Sequence, residues 1–392
     1  MADKIKLLIV SDLHAIVDPQ LKEDSHFFIN DGYSEYADVF LKFVKSLNQD
    51  IDVMICPGDI ANKSDKMAFA AGWKILNNIK EELSIKKLLC VPGNHDHKSR
   101  QSEGTFDPKH QLQFQIPPFP LIEHEGCTHF WAWHWCAVKE KNYNAILLNT
   151  SAYHGYADES NHGRVAIEVV NQIIDYIKSD EFEEKPCNFL ICHHHPMKME
   201  FAERNYDLEA MEGGDLLLRY LSETNKGSWL TIHGHKHFPE ISYASGSTSE
   251  PITILSAGSM SAVIHPEIMD RTGNQFYILE IDLEMSKETG RVVGFFETFE
   301  WTMLKGWAHS ESKYLPARGG FGSIDTPSNV ANNIKKLLDK DNTFLDETEL
   351  DDALKSVQYF VPNDFRKLLE KLEALDCQVI VEDNKIIQVG RL

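Results

Sequence analysis

Short apolar runs that end in polar residues recur along the first two thirds of the chain. These runs are residues 6–10, 51–56, 87–91, 188–192 and 229–232. Runs of this length are typical of buried strands that carry a site at their carboxyl ends. Residues 35–44 and 69–79, which lie between the first three runs, instead place apolar residues at helical intervals. This alternation of strand and helix predicts an α/β layered domain.

Further strands are predicted downstream, where the early alternation is interrupted. The predicted strands are residues 145–150 and 252–255, and the predicted hairpin pairs residues 275–283 and 291–303 around a turn at 287–290. Residues 97–143 contain Pro117, Pro118 and Pro120, so we expect an insertion near the site. The alternating tryptophans of the run at 131–135 favour core positions over a surface for stacking bases.

The last part of the chain is predicted to form a separate small unit. Residues 309–325 contain glycines and show no sustained periodicity, so we predict a linker there. In residues 326–392, apolar residues at helical spacing flank a capping pair, Asp346 and Glu349, and precede a hairpin at 378–389. This order resembles a winged helix. Nine basic against thirteen acidic side chains favour contact with a protein or a second copy of the chain over DNA reading.

Composition narrows the class of protein. The 392 residues carry 39 basic and 60 acidic side chains, a net charge of −21, which argues against binding extended nucleic acid through a basic surface. No apolar stretch approaches the roughly 20 residues that span a bilayer, and the first apolar run is too short for a signal peptide. The cysteines lie mostly in or beside apolar runs, which favours reduced core thiols. We therefore expect a cytoplasmic protein without membrane contacts.

Polar clusters directly follow the five predicted strands. Their candidate metal ligands are Asp12, His14, Asp59, Asn94, His194, His235 and His237. Because alternate residues of a strand point to the same side, the ligand pairs at positions 12 and 14 and at 235 and 237 are each expected to serve one ion. Asp59 is placed to bridge two ions. Two divalent ions, two carboxylates and a bridging hydroxide leave about one net positive charge, which attracts a phosphate group.

The order of these clusters, Asp-x-His, Gly-Asp, Gly-Asn-His-Asp, His and Gly-His-x-His, resembles the calcineurin-like metallophosphoesterases. It is most similar to their class III cyclic-nucleotide and glycerophosphodiester phosphodiesterases, over about residues 5–304. The resemblance implies a four-layer α/β/β/α sandwich at residues 1–308, followed by the linker and by a small α+β, winged-helix-like unit at 326–392. It also implies a cofactor of two divalent ions, Mn, Fe or Zn, with Mn favoured.

The resemblance divides the ligands between two ions. One ion would take Asp12, His14, Asp59 and His237, and the other Asp59, Asn94, His194 and His235. His194 matches the family's His-x-Pro pattern, while its neighbours His193 and His195 are candidates to orient it or to contact substrate. His95 would protonate the leaving oxygen, with Asp96 orienting it.

The expected activity is hydrolysis of a small phosphodiester, such as a nucleotide ester, by attack of a metal-activated hydroxide. The residues around Asp59 lack the Asp-Arg-Gly with which protein phosphatases of this superfamily clamp phosphate. Lys98 and Arg100 are candidate substrate contacts, with an ordinary solvated pair as the alternative. A phosphomonoesterase, a single-strand nuclease, and a binding module that only senses nucleotide are the other interpretations.

Overall fold

The computed structural model describes residues 4–99, 107–120, 123–155, 159, 162–199, 210–244, 251–312, 314–338, 343–382 and 384–391. The strands are β1 (Lys4–Ile9), β2 (Val53–Cys56), β3 (Lys87–Cys90), β4 (Trp135–Lys139), β5 (Tyr143–Leu148), β6 (Cys187–Ile191), β7 (Ser228–His233), β8 (Glu240–Tyr243), β9 (Thr253–Ser256), β10 (Asn274–Asp282), β11 (Val293–Thr302), β12 (Gly306–His309), β13 (Arg318–Phe321), β14 (Phe344–Asp346), β15 (Cys377–Glu382) and β16 (Lys385–Arg391). The helices are α1 (Glu35–Ser46), α2 (Lys66–Glu82), α3 (His110–Gln113), α4 (His124–Trp133), α5 (Ile167–Lys178), α6 (Gly214–Glu223), α7 (Leu283–Thr289), α8 (Pro327–Leu337), α9 (Glu347–Leu354) and α10 (Pro362–Ala374). Short 3₁₀ turns lie at Pro19–Leu21 and Val357–Tyr359.

Most of the strands belong to two large sheets. The first has the order β12-β11-β10-β1-β2-β3, with β13 also paired to β11, and the second has the order β4-β5-β6-β7-β9-β8. The strands that precede the polar clusters run parallel: β1 pairs with β2, β2 with β3, and β6 with β7. The carboxyl ends of neighbouring parallel strands therefore meet at one edge of each sheet.

The two large sheets pack face to face and carry helices on their outer faces. Successive residues of a strand point to opposite faces of its sheet. In β1, Leu7 and Ile9 belong to the core between the sheets, whereas Leu8 packs into the core beneath α1 and α2. In β6, Phe189 joins the central core and Leu190 joins the core beneath α5 and α6. The predicted four-layer α/β/β/α sandwich is confirmed.

Side-chain caps fix the starts of the helices that follow the first two polar clusters. Ser34 caps α1, because its hydroxyl accepts the Ala37 N–H at 3.4 Å. Asp65 caps α2 by accepting the N–H groups of Met67 and Ala68 at 2.8 and 3.0 Å. Both helices thus begin at defined points behind the loops that carry candidate ligands.

A small α+β unit with a winged-helix-like order follows the sandwich. Helices α8, α9 and α10 and the sheet β14-β16-β15 share a core of their own, which includes Leu350, Leu368 and Val389. The capping box formed by Asp346 and Glu349 at the start of α9 is present, as the sequence predicts.

Part of the predicted linker at 309–325 is a strand. β13 pairs antiparallel with β11, so this segment is joined to the first sheet. The glycines that suggested a flexible linker allow close approach of two backbone segments instead. A Cβ atom on Gly320 would collide with the backbone of Gln358 and Tyr359. The domain boundaries at 308 and 326 stay a prediction.

The tryptophans of the run at 131–135 do not share one strand, so the expectation of core positions holds for Trp131 and Trp135 and is wrong for Trp133. Trp131 and Trp133 lie at the end of α4, where positions two apart differ by about 200° in direction. Trp133 is therefore half exposed, whereas Trp135 at the start of β4 is buried. His134 ends the helix in the left-handed conformation, with φ of 67°.

The predicted hairpin is present, but its turn is not where we expected it. β10 and β11 pair antiparallel, and α7 connects them in place of a turn at 287–290. The Asp282 side chain caps this helix by accepting the Met285 N–H at 2.9 Å, and Gly290 ends it in a left-handed conformation.

Three of the cysteines that are predicted to be reduced core thiols lie in the core. Cys56, Cys90 and Cys192 are buried with free thiols, as the sequence predicts. Within the described ranges, no helix is both long enough and apolar enough to cross a bilayer.

Leu368→Ala tests the core of the C-terminal unit. Leu368 is fully buried in that core, and removing a buried leucine side chain costs about 2–5 kcal/mol. We expect a clearly lower urea midpoint for the unfolding transition followed by circular dichroism. The matched control is Leu304→Ala, because Leu304 is 99% exposed. Equal midpoints for the two variants would contradict the packing described for α10.

Candidate metal centre

The candidate ligands lie in loops just beyond the strand ends, and these loops are joined by backbone hydrogen bonds. The N–H groups of Asp12 and His14 donate to the carbonyl oxygens of Gly58 and Asp59 at 3.1 and 2.9 Å. The two loops of the first sheet are thus held side by side. The Gly234 N–H donates to the His193 carbonyl at 3.1 Å, which joins the two loops of the second sheet in the same way.

Left-handed backbone conformations bring the ligands together. The ligands with positive φ are Asp12 (51°), His14 (46°), Asp59 (53°), His235 (79°) and His237 (54°). The sequence argument that alternate strand residues point to one side is therefore wrong for both ligand pairs, because neither pair lies in a strand. Non-glycine residues rarely adopt this conformation, and it persists only where the surrounding structure holds it.

Two glycines make room for the Asp59 carboxylate. Gly58, with φ of 106°, supplies the turn directly before this ligand. A Cβ atom on Gly93 would collide with the Asp59 side chain. The Gly-Asp and Gly-Asn-His clusters thus need their glycines for different reasons, one for the turn and one for close approach.

The first group of donor atoms surrounds the position predicted for one ion. His237 Nε2 lies 3.3 Å from an oxygen of Asp12 and 3.1 Å from His14 Nε2. His14 Nε2 also lies 3.4 Å from Asp59 Oδ2. These are the four residues that the sequence assigns to the first ion.

The second group meets the first at Asp59. The side-chain oxygen of Asn94 lies 2.9 Å from His193 Nε2 and 2.9 Å from His235 Nδ1. His193 Nε2 is also 3.3 Å from Asp59 Oδ2. Asp59 therefore lies between the two groups, and its role as a bridging ligand stays a prediction.

His193 is a donor that the sequence analysis did not place among the ligands. Its Nδ1 contacts the Pro57 carbonyl oxygen at 2.8 Å, so the imidazole is held with Nε2 towards Asp59 and Asn94. The only signal in the sequence is its position at the start of the histidine triplet, which also fits His194.

His194 lies beside this group and stays a predicted ligand. Its Nδ1 contacts the Thr150 hydroxyl at 2.8 Å, and its buried Nε2 has no hydrogen-bond partner among the described residues. Donor atoms of His193, His194 and His235 lie within 4.8 Å of one another. A buried nitrogen without a partner is costly, and a metal ion would satisfy it.

Burial and neighbouring charges set the protonation of these groups. Burial alone would raise the pKa of the Asp59 carboxyl, but the charges of His193 and His95 hold that pKa well below its usual range. Burial lowers the pKa of His14 to about 3 and holds the pKa of His235 well below its usual range. These imidazoles are therefore neutral, which is the form that binds metal.

His193 differs in charge from the other imidazoles. Burial acts to lower its pKa, but the Asp59 carboxylate outweighs burial and raises the pKa to about 9. The donor set of carboxylate, amide and imidazole groups fits divalent ions of the Mn, Fe and Zn class.

His95 and Asp96 have different surroundings. The His95 backbone N–H donates to Asp59 Oδ1 at 2.7 Å, and its ring nitrogen lies within 4.8 Å of donor atoms of His14 and Asp59. The Asp96 oxygens accept the backbone N–H groups of Ala61 and Gly93 at 2.8 and 2.9 Å. Asp96 thus braces the two loops from within, and the expectation that it orients the His95 imidazole is wrong.

The candidate substrate contacts are only partly placed. Lys98 follows the Asn94 cluster, and its backbone N–H donates to the Pro108 carbonyl at 3.3 Å. Arg100 lies outside the described residues. His195 is buried, with its ring 6.2 Å from the ring of His235 and nearly parallel to it. The roles proposed for these residues in substrate binding stay predictions.

Several residues that support the ligands were not expected. The Ser259 hydroxyl donates to the Asp12 carbonyl at 2.6 Å, and the Ser11 hydroxyl contacts the Asp12 carboxylate. His97 and His154 are buried histidines, and the ring of His154 lies 5.3 Å from that of His194. In a single sequence, a serine or histidine that supports a ligand cannot be distinguished from one at an ordinary core position.

Comparison with known families agrees with this geometry. The family model for calcineurin-like phosphoesterases matches residues 5–265, two thirds of the chain. The chain belongs to the calcineurin-like phosphoesterase family. A second family model, wHTH-Calcineurin_assc, matches residues 319–374. No curated protein matches the chain. The phosphoesterase family uses a dinuclear divalent metal centre, which the clustered histidine and aspartate donors fit.

Solved structures of similar fold are distant. A purple acid phosphatase from yellow lupin (Lupinus luteus) seeds is 13% identical, with a TM-score of 0.46 over 78% of this chain and 52% of that one. A dimetal phosphatase from Danio rerio is 9% identical, with a TM-score of 0.43 over 71% and 94%. A calcineurin-like phosphoesterase from Bacillus subtilis is 9% identical, with a TM-score of 0.38 over 96% and 99%. The present chain thus spans about half the length of the lupin enzyme. Its assignment to the calcineurin-like phosphoesterase family rests on the family model alone.

Asp59→Asn tests the shared ligand. The amide removes one negative charge from the position between the two donor groups, so we expect both bound metal and activity to fall together. Metal content is measured by elemental analysis of the purified variant. His124→Ala is the control, because His124 is exposed on α4. Two ions retained by Asp59→Asn at wild-type activity would refute the bridging position.

Proposed function

We propose that this phosphoesterase hydrolyses a small phosphodiester, such as a nucleotide ester, in the manner of the class III phosphodiesterases. The observation that carries the proposal is the convergence of donors from five separate loops on Asp59, with His95 beside it. The predicted residues and His193 would hold two divalent ions, among which we favour Mn. When bound, such ions lower the pKa of coordinated water and neutralise phosphoryl oxygens.

Charge close to the centre supports a diester over a monoester. Ile60 and Ala61, which follow Asp59, are fully buried and supply no cation for a phosphate. The nearest lysine of this loop, Lys63, forms an ion pair with Asp24, with 2.6 Å between Nζ and the carboxylate oxygen. A diester carries one negative charge and a monoester up to two, so the loop after Asp59, whose described residues 60–63 include no arginine, favours the diester.

His95 is suited to protonate the leaving oxygen. The Lys63 backbone N–H donates to its Nδ1 at 3.4 Å, so a proton for the leaving oxygen would be carried on Nε2. A proton donor matters most where the leaving group is a poor one, such as an alkoxide. Asn94 supports the same chemistry, because its neutral amide offers an oxygen donor without adding a charge that would repel substrate.

A phosphomonoesterase is the second candidate. Lys63 is largely exposed and lies beside His95, so an ester with a further negative charge has a cation within reach once Lys63 leaves Asp24. A single-strand nuclease and a nucleotide-sensing module without turnover are the remaining alternatives. Assays with and without Mn²⁺ on bis-p-nitrophenyl phosphate, p-nitrophenyl phosphate, cyclic nucleotides and single-stranded DNA separate these four functions.

The choice between ester classes is tested with two chromogenic substrates. We expect kcat/KM for bis-p-nitrophenyl phosphate to exceed that for p-nitrophenyl phosphate at neutral pH with Mn²⁺ present. Both substrates release the same chromophore, so one absorbance measurement compares them. A preference for the monoester by about tenfold or more would favour the phosphatase interpretation instead.

His95→Ala separates proton donation from metal binding. Loss of a general acid lowers turnover by about 10²–10⁴-fold, while His95 is not among the predicted ligands. We expect two ions per chain by elemental analysis and a strongly reduced kcat on a cyclic nucleotide. The loss should be smaller on bis-p-nitrophenyl phosphate, because p-nitrophenolate leaves without protonation. An equal loss on both substrates, or a loss of metal, would contradict this role.

A further inference from the structure

The first turn of α10 packs against the phosphoesterase domain. Helix-turn-helix modules read DNA with the N-terminal residues of their recognition helix, and α10 is the last of the three helices in the C-terminal unit. Here Val361, directly before α10, joins the core between the two large sheets, together with Ile241 of β8. Part of the surface that a DNA-binding module would need is therefore covered by the chain's own phosphoesterase domain.

The contact around α10 is closely packed. Pro362, Asn363 and Arg366 face residues 238–241 and Tyr314 across a cavity of only about 10 Å³. This volume is about the minimum for a single water molecule. The gap is thus too small to be a ligand site, and it marks a fitted interface between the two units.

The segment that α10 contacts follows directly after a metal ligand. Phe238 is the next residue after His237 and is buried, and its ring lies 6.1 Å from the ring of Tyr314. The guanidinium of Arg366 lies over the same tyrosine ring, 5.9 Å from its centre. A continuous series of contacts therefore connects α10 to the loop that carries His237.

This ligand loop needs support from both sides. His235 and His237 are both left-handed, and such conformations persist only where the surroundings hold them. On one side, Asp12 accepts the His235 backbone N–H at 3.0 Å and lies 3.3 Å from His237 Nε2. On the other side, residues 238–241, which lead into β8 and begin it, face the first turn of α10.

Further contacts fix the C-terminal unit against rotation. The Gly322 N–H donates to the Tyr243 hydroxyl of β8 at 2.8 Å. The ring of Tyr359 lies 5.1 Å from that of Phe295, and its hydroxyl lies 3.4 Å from the sulfur of Met285. These contacts lie at separate places along the interface, so α10 is held in one orientation.

We propose that the winged-helix-like unit is a positioning element for the metal centre. The first turn of α10 holds residues 238–241 and, through them, keeps His235 and His237 in the conformation that binds metal. This inference rests on the metal centre proposed above. It assigns Arg366 and Tyr314 as positioning residues, although neither touches substrate or metal.

Arg366→Ala tests the proposal by metal affinity. We expect the Mn²⁺ dissociation constant of the full-length, metal-free protein to rise roughly tenfold, at the lower end of the range for residues that orient metal ligands. Free Mn²⁺ is measured by electron paramagnetic resonance during titration. Excess Mn²⁺ should restore kcat on bis-p-nitrophenyl phosphate, because the substitution weakens metal binding without removing a group that reacts.

Two variants in the same helix serve as controls. Arg366→Lys keeps a cation near Tyr314 and should recover most of the affinity, whereas Lys371→Ala alters an exposed residue of α10 and should change nothing. If Arg366→Ala prevents folding of the metal-free protein, Tyr314→Leu removes the ring from the catalytic side and should weaken Mn²⁺ binding similarly. Where both variants fold, their combined effect should be less than additive.

The outcomes separate this inference from the proposed function. Wild-type affinity in folded Arg366→Ala and Tyr314→Leu, with metal lost in Asp59→Asn, would refute the positioning role while the metal centre stands. Failure of the wild-type protein to bind Mn²⁺, Fe²⁺ or Zn²⁺ would instead refute the metal centre. Equal weakening in Lys371→Ala would also overturn the proposal, because the effect would then not depend on the interface.

Discussion

The buried carboxylate of Asp59 is the charge around which the rest of the site is arranged. One of its oxygens accepts the His95 backbone N–H at 2.7 Å, and the other lies 3.3 to 3.4 Å from imidazole nitrogens of His193 and His14. An unpaired buried carboxylate costs several kcal/mol, so this position is tenable only with positive charge or polar hydrogens on every side. The loops that carry these partners must therefore converge on Asp59, and left-handed turns are how short loops achieve it.

This requirement links the site to the packing of the whole domain. Asp59 follows a strand of the first sheet, whereas His193 follows a strand of the second. Their separation depends on how the sheets pack across the central core, where Ile55 and Phe189 belong to one cluster. A core of this density transmits small shifts, because it has few voids in which to absorb them. Core residues far from the ligands thus influence metal geometry without touching it.

Much of the fold was predictable because buried parallel strands are continuous apolar runs, and the polar clusters that follow them must share an edge. Positions within the clusters were harder to predict. His193 and His194 are adjacent histidines after one strand, and only long-range contacts, with Pro57, Asn94 and Asp59, show which way the His193 ring points. The contacts of Asp96 with backbone N–H groups have no signature in the sequence. Long-range contacts also determine the conformation of the glycine-rich segment before α8. This segment pairs with β11, although its composition suggests a linker.

The net charge of −21 and the local chemistry of the site act at different distances. At physiological ionic strength, screening limits the range of interactions between exposed charges to about 8 Å. A small ester at the site would therefore interact mainly with the metal ions and imidazoles. A long polyanion would also lie against the acidic surface and be repelled along its length. The loop after Asp59, residues 60–63, contains no arginine that could pair with a second negative charge on a phosphate. The acidic surface and the loop after Asp59 therefore act in the same direction, and both support the small phosphodiester that we propose as substrate.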